Sequence, residues 1–171
     1  MTATSEPHEQ LLACIPRLRR YARALVGDRA GADDLVQDTL ERGWARLRSW
    51  QSGSDMRAWL FSIMHNVRID QIRRPSVPTQ LLNEDTLMPI APGSPSSGLE
   101  LRDMASALRG LPDEQREILL LVALEEMSYD DVAQTLKIPI GTVMSRLSRA
   151  REKMRANMEG RTYVAPLKVV K

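Results

Sequence analysis

Residues 138–155 read IPIGTVMSRLSRAREKMR. A proline and a glycine open the stretch, and Arg146, Arg149, Arg151, Lys153 and Arg155 stand against Glu152 alone. Val143, Leu147, Ala150 and Met154 recur at three- and four-residue spacings, the apolar stripe of an α-helix. Just upstream, Ser128 can cap a short helix over 129–136, with Asp131 where a capping box usually has glutamate. KIP between the two helices makes a tight turn. A short helix, a tight turn and a second helix form a helix-turn-helix, whose second helix presents its N-terminal part to the DNA major groove.

The chemistry of that helix start agrees. Gly141 and Thr142 are small enough for backbone to approach a phosphate, and unpaired N–H groups at a helix N-terminus favour an anion. Ser145, Arg146 and Arg149, at i, i+1 and i+4, can share an outward face. A guanidinium bound to guanine O6 and N7 discriminates by about 1–3 kcal/mol. The plainer alternative is a solvated basic helix at a domain edge.

The total charge is only +2, so overall basicity carries no argument. Its distribution does. Between 113 and 131 stand Asp113, Glu114, Glu117, Glu125, Glu126, Asp130 and Asp131, with Arg116 the sole base. A polarised C-terminal half of this kind can steer an anion to one face.

Other classes fall away. Hydrophobic residues at 43% and charged ones at 27% suit a globular chain rather than a disordered one. No apolar run approaches the ~18 residues of a membrane span, and the N-terminus lacks a secretory pattern, so a cytoplasmic protein without membrane insertion is expected. Cys14 is the single cysteine, which rules out an internal disulfide and any CxxC motif; its place in an apolar stripe suits the core. With only His8 and His65 besides, no metal or other cofactor is expected. No nucleophile–base pair or glycine-rich phosphate loop can be assembled, so the chain does not read as an enzyme.

Half of the ten prolines (Pro75, Pro78, Pro89, Pro92 and Pro95) fall between Pro75 and Gly98, among serines and glycines. Such a segment is a linker at 76–98. It separates two small all-α domains, 9–75 and 99–160.

In the first domain, Leu11, Leu12, Ile15, Leu18, Ala22, Leu25 and Val26 mark a helix from Glu9 to Val26. The stretch ADDLVQDTLERGWARL (32–47) places Val36, Leu40, Trp44 and Leu47 inward and Asp34, Gln37, Asp38 and Glu41 outward. That acidic face is either solvated or a docking surface for a basic partner. A third helix, capped by Ser54 or Asp55, has Leu60, Ile63, Met64 and Val67 as its core and Trp59, Ser62, Asn66 and Arg73 on another face. In the second domain a helix over about 99–108 stops at Gly110, and the next carries Pro112 in its first turn with Ile118, Leu119 and Val122 inward.

All three tryptophans and the only phenylalanine lie between Trp44 and Phe61. Aromatic rings near arginine suit single-stranded nucleic acid, each stacked base being worth about 1–3 kcal/mol. Trp44 and Phe61 fit the core better; Trp50 and Trp59 fit either role.

Together, DDLVQDTLERGW (33–44), AWLFSIMHNVRIDQIRR (58–74) and LPDEQREILLLVALEEMSYDDVAQTLKIPIGTVMSRLSRAREKMR (111–155) resemble the extracytoplasmic-function sigma factors, over residues 9–74 and 99–157. The resemblance implies two helical domains, regions 2 and 4, and a factor that directs core RNA polymerase to chosen promoters. It assigns Asp34, Gln37, Asp38 and Glu41 to docking on the β′ clamp helices, with the β subunit a further contact. It assigns the loop at 50–55 with Trp50, Trp59, Asn66 and Arg73 to recognising and melting the −10 element of promoter DNA. Thr142, Ser145, Arg146 and Arg149 become the −35 reader. It also implies an inhibitory anti-sigma factor. Met144 and Ser148 depart from the family's common pattern. Two other readings are a sigma-like decoy that binds a regulator without DNA, and an ordinary helix-turn-helix regulator, which would leave the 58–74 block unexplained.

Overall fold

A computed structural model describes residues 6–74 and 95–160, and seven α-helices make up the regular structure of that part together with one 3₁₀ turn. The first three helices are α1 (Pro7–Val26), α2 (Arg29–Arg46) and α3 (Met56–Arg73). Pro7 lies in the first turn of α1, where a missing N–H costs nothing. Gly27 ends that helix at φ 89°, in the left-handed region that a side chain would resist. Asp28 then caps α2 by accepting from Gly31 N–H at 2.7 Å. Of the two candidate caps of α3, Asp55 is the one used, accepting from Arg57 and Ala58 N–H.

The inward face of α2 is Ala32, Leu35, Val36, Thr39 and Gly43, with Leu40 half-buried against the core and Leu47 buried just beyond the helix. A Cβ on Gly43 would stand 3.0 Å from Leu60 Cδ2, so α2 and α3 meet at a distance only a small residue allows. This rotates Trp44 outward; it is 55% exposed and edge-on to His8, a correction to its core assignment. Phe61 is core, edge-to-face with Tyr21 at 4.8 Å. Arg42 ties α2 to α3 through Asp70 at 2.8 Å.

The second group is α4 (Pro95–Arg109), α5 (Asp113–Ala123), α6 (Tyr129–Leu136) and α7 (Ile140–Met158). The helix expected from about 99 begins earlier, at Pro95, and Pro112 stands at the cap of α5 rather than inside its first turn. Ser128 accepts from Asp131 N–H at 3.1 Å and donates to Asp131 Oδ2 at 2.7 Å, which fixes the start of α6. Lys137, at φ 54°, turns the chain into α7.

The two groups pack on one another, α1 against α5 and α3 against α6, and their buried side chains form one continuous cluster. For that reason α5 is buried on more than one side: Ile118, Leu120 and Leu121 are core, and Arg116 and Glu117 are buried with them. Arg116 donates to the backbone oxygens of Leu25, Leu108, Arg109 and Leu111 and to Asp113 Oδ1. Burial pulls its pKa below the usual arginine value, against the opposing pull of Asp113. His65 meets Glu117 at 2.8 Å, and Arg68 meets Asp113 at 3.4 Å. Glu125, fully buried, faces Arg20 at 3.2 Å and Arg17 at 3.6 Å, while Arg57 donates to its backbone oxygen at 2.7 Å.

Part of the acidic stretch is therefore spent inside the chain. Asp113, Glu117 and Glu125 are matched to basic groups of α1 and α3 within the same chain. Among the described residues no helix is long and apolar enough to cross a membrane, and no cluster of three metal-ligating side chains occurs.

Candidate nucleic-acid interface

The start of α7 is open. Pro139 caps it without a capping side chain, Thr142 and Val143 return their N–H groups to Pro139 O, and a Cβ on Gly141 would meet nothing within 4 Å. Packing therefore does not require glycine at 141, and nothing in the fold screens the backbone there. Val143, Leu147 and Ala150 are buried, which aims Met144, Ser145, Ser148 and Arg149 at solvent and leaves Thr142 half-buried at the flank.

Arg146 does not share that face. It precedes Leu147 at the edge of the buried stripe, and its Nη2 pairs with Glu114 Oε2 at 3.1 Å. Of the four sequence-predicted −35 residues, Ser145 and Arg149 point outward together and Arg146 is drawn aside. On the opposite flank, Tyr129, Met144, Ser148, Arg151 and Arg155 line a groove of about 460 Å³.

In the first group, Trp50 is buried, with 7% of its surface exposed, and its indole N–H lacks a protein partner. Its ring is therefore packed in the core rather than offered for stacking. The loop itself, 51–55, is exposed and held by Ser54 Oγ donating to Gln51 O and by Gly53 at φ 92°. Trp59 is half-buried, packed against the core; Asn66 and Arg73 are exposed further along α3. Trp44 is an exposed aromatic that the periodicity hid, because Val36 and Leu40 lead the eye along its row.

Asp34, Gln37 and Glu41 form an exposed edge of α2, with Gln37 donating to Glu41 at 3.2 Å. Asp38 is half-buried and accepts from Gln71 of α3 at 3.2 Å. Cys14 is half-buried on α1, and burial, followed by the charge of Asp55, pushes its thiol pKa up, away from reactive thiolate.

One cleft joins the two groups. His65, Arg68, Ile69, Ile72 and Arg73 form one wall, and Asp113, Glu114, Glu117 and Arg146 stand on the other, around about 530 Å³. Arg73 and Arg146, which the resemblance gives to different promoter elements, thus line the same space.

Residues 11–65 match the family described as the Sigma2 domain of PhyR, and residues 101–154 match Sigma-70, region 4. The ECF RNA polymerase sigma factor EcfG of Rhodopseudomonas palustris is 39% identical over 158 residues, covering 91% of this chain and 87% of that protein. Among solved structures, the sigma factor RpoE in complex with the anti-sigma factor NepR from Bartonella quintana is 35% identical with a TM-score of 0.73, over 89% of this chain and 96% of that one. CnrH in complex with the cytosolic domain of CnrY is 27% identical with a TM-score of 0.66, over 91% and 89%.

Proposed function

The chain belongs to the extracytoplasmic-function sigma factors, and from that premise we propose how its residues divide the work of promoter choice. Residues 9–75 dock on the core polymerase of the cytoplasm and open the −10 element; residues 99–160 read the −35 element. The observation that carries this division is the unscreened start of α7, where Gly141, Ser145 and Arg149 face outward on a helix whose other side is core. Arg149 reads a base edge, Ser145 and the backbone near Gly141 hold phosphate, and Arg146 joins them when freed from Glu114.

On the other group, the exposed edge of Asp34, Gln37 and Glu41 meets the β′ clamp helices, with Asp38 held in place by Gln71. Asn66, Arg73 and the accessible part of Trp59 receive the unstacked −10 strand, the 51–55 loop lying beside them; Trp50 stays in the core. Flipping a base out costs a few kcal/mol, which stacking and hydrogen bonds must offset. The chain itself performs no bond-making step; the polymerase does. An anti-sigma factor, as in the complexes of its relatives, engages the cleft between α3 and the second group and keeps both surfaces from DNA.

The test is reconstitution. Purified chain, active core polymerase and genomic promoter fragments give specific transcripts whose start sites share two sequence elements. Absence of specific transcripts from a polymerase that works with another sigma factor, while the chain still captures a regulator, would establish the decoy reading instead.

A further inference from the structure

We propose that Met144, near the start of α7, reads the C5-methyl group of a thymine in the −35 element, beside the polar contacts of Ser145 and Arg149. That role rests on the −35 reading of α7 proposed above and adds to it an apolar contact with a base edge.

Helical spacing sets Ile140, Met144, Ser148, Arg151 and Arg155 along one edge of α7, at i, i+4, i+8, i+11 and i+15. The edge changes character along its length. Its first two side chains are large, apolar and exposed, Ile140 at 39% and Met144 at 49%. Its last two are exposed arginines. A single apolar residue on a surface is ordinary. Here two stand one turn apart at the unscreened start of the helix, on either side of Gly141, and so form an apolar edge where a base pair would lie. Arg146 is on the opposite flank, turned to Glu114, and does not compete for that place.

The dimensions agree. The major groove of DNA is about 8.5 Å deep. Arg151 lies two turns beyond Met144, about 10 Å along the helix axis. With Met144 at the level of the bases, Arg151 and Arg155 therefore stand at the rim, where phosphates run and a cation positions the helix without reading sequence.

Met144 suits the other task. It carries no charge and no hydrogen-bond donor, so it can take neither a phosphate nor a guanine edge. Among the groups that base pairs present in the major groove, the thymine C5-methyl is the apolar one. A thioether gives up water for that methyl without losing a strong hydrogen bond, and its rotatable bonds let it follow the contact. Room for that movement is present. Small Ser148 and, across from it, Tyr129 leave a groove of about 460 Å³ beside Met144, with Leu147 behind it and Glu152 at its arginine end. Arg151 donates to the Tyr129 hydroxyl at 3.5 Å on the far side.

Replacing thymine by deoxyuridine removes the methyl group and nothing else, which makes the contact directly testable. The full chain, assembled with core polymerase, is titrated onto a promoter located by mapping its transcription starts, with each −35 thymine of either strand replaced in turn. At one position deoxyuridine weakens wild-type binding by about three- to fivefold, the worth of burying one methyl group. Met144→Ala binds the thymine and deoxyuridine promoters alike, and Met144→Leu restores the difference. Arg149→Ala binds both more weakly but keeps it. A wild type indifferent to every replacement, a −35 element without an A·T pair, or a Met144→Ala chain that still tells the two promoters apart overturns the assignment. Scrambling the −35 element separates that failure from the wider one: lost binding leaves the −35 reading in place without Met144, whereas unchanged binding overturns both.

Discussion

Arg116→Ala should be among the most damaging single changes in this chain. The guanidinium makes five hydrogen bonds, four to backbone oxygens at 2.8–3.0 Å and one to Asp113 at 3.2 Å. Leu25 closes the last turn of α1, and Leu108 and Arg109 lie in the last turn of α4, so one cation serves the negative ends of two helices. Charged hydrogen bonds net about 1.5–3 kcal/mol each, but they are not additive, and water will reach some of the abandoned carbonyls. Breaking a buried polar network of this kind costs about 3–5 kcal/mol. Against a whole-domain stability of about 5–15 kcal/mol, that is a large share. Urea unfolding followed by helical ellipticity should show the midpoint fall by about 2 M, at a slope near 2 kcal/mol per molar. Arg116→Lys keeps the charge but loses the planar fork, and should fall between the two. A loss under about 1 kcal/mol for Arg116→Ala, or a lysine variant equal to wild type, would show that the five bonds are not what holds the α1–α4–α5 junction.

Three further outcomes are expected. Arg149→Ala, on an exposed face, should leave the unfolding curve unchanged and lower transcription from promoters carrying a −35 element by about 5- to 100-fold, the span of one lost base contact; equal transcript levels would remove it from the reader. Asp38→Arg should weaken association with core polymerase by about tenfold or more in a pull-down titration while duplex binding holds; because Asp38 also accepts from Gln71, Gln71→Ala serves as the control, and only a loss specific to Asp38→Arg supports docking. Gly43→Val, whose Cβ would press on Leu60 at 3.0 Å, should cost about 1–3 kcal/mol, read as a lower Tm; no change would mean that α2 can back away from α3 freely.

Much of the local structure was legible in the sequence. The caps at Asp55 and Ser128, the turn at Lys137 and the buried row Val143, Leu147, Ala150 are short-range features, set by neighbours within a few residues. Of the inward stripe read for α2, Val36 and Leu47 are buried and Leu40 is half-buried against the core. Only Trp44 fails, because periodicity weighs hydrophobicity whereas Ala32 and Gly43 suit a close helix contact by their size. Trp44 then had to turn outward. Trp50 sat in a loop-like stretch, and only the packing around it made it core.

The sequence by itself determined the all-helical class, the helix-turn-helix and the family, since each depends on spacing along the chain or on blocks of residues that keep their order. The tertiary structure decided how the charges are spent. Arg116 pairs with Leu25 across 91 positions, and Arg20 with Glu125 across 105. No local pattern can distinguish a carboxylate that faces water from one that faces an arginine of the same chain a hundred residues away. A net charge of +2 is compatible with both. The acidic stretch of the C-terminal half is therefore plain in the sequence, but that it closes on the basic helices of the N-terminal half, and draws Arg146 aside as it does so, is a property of the fold.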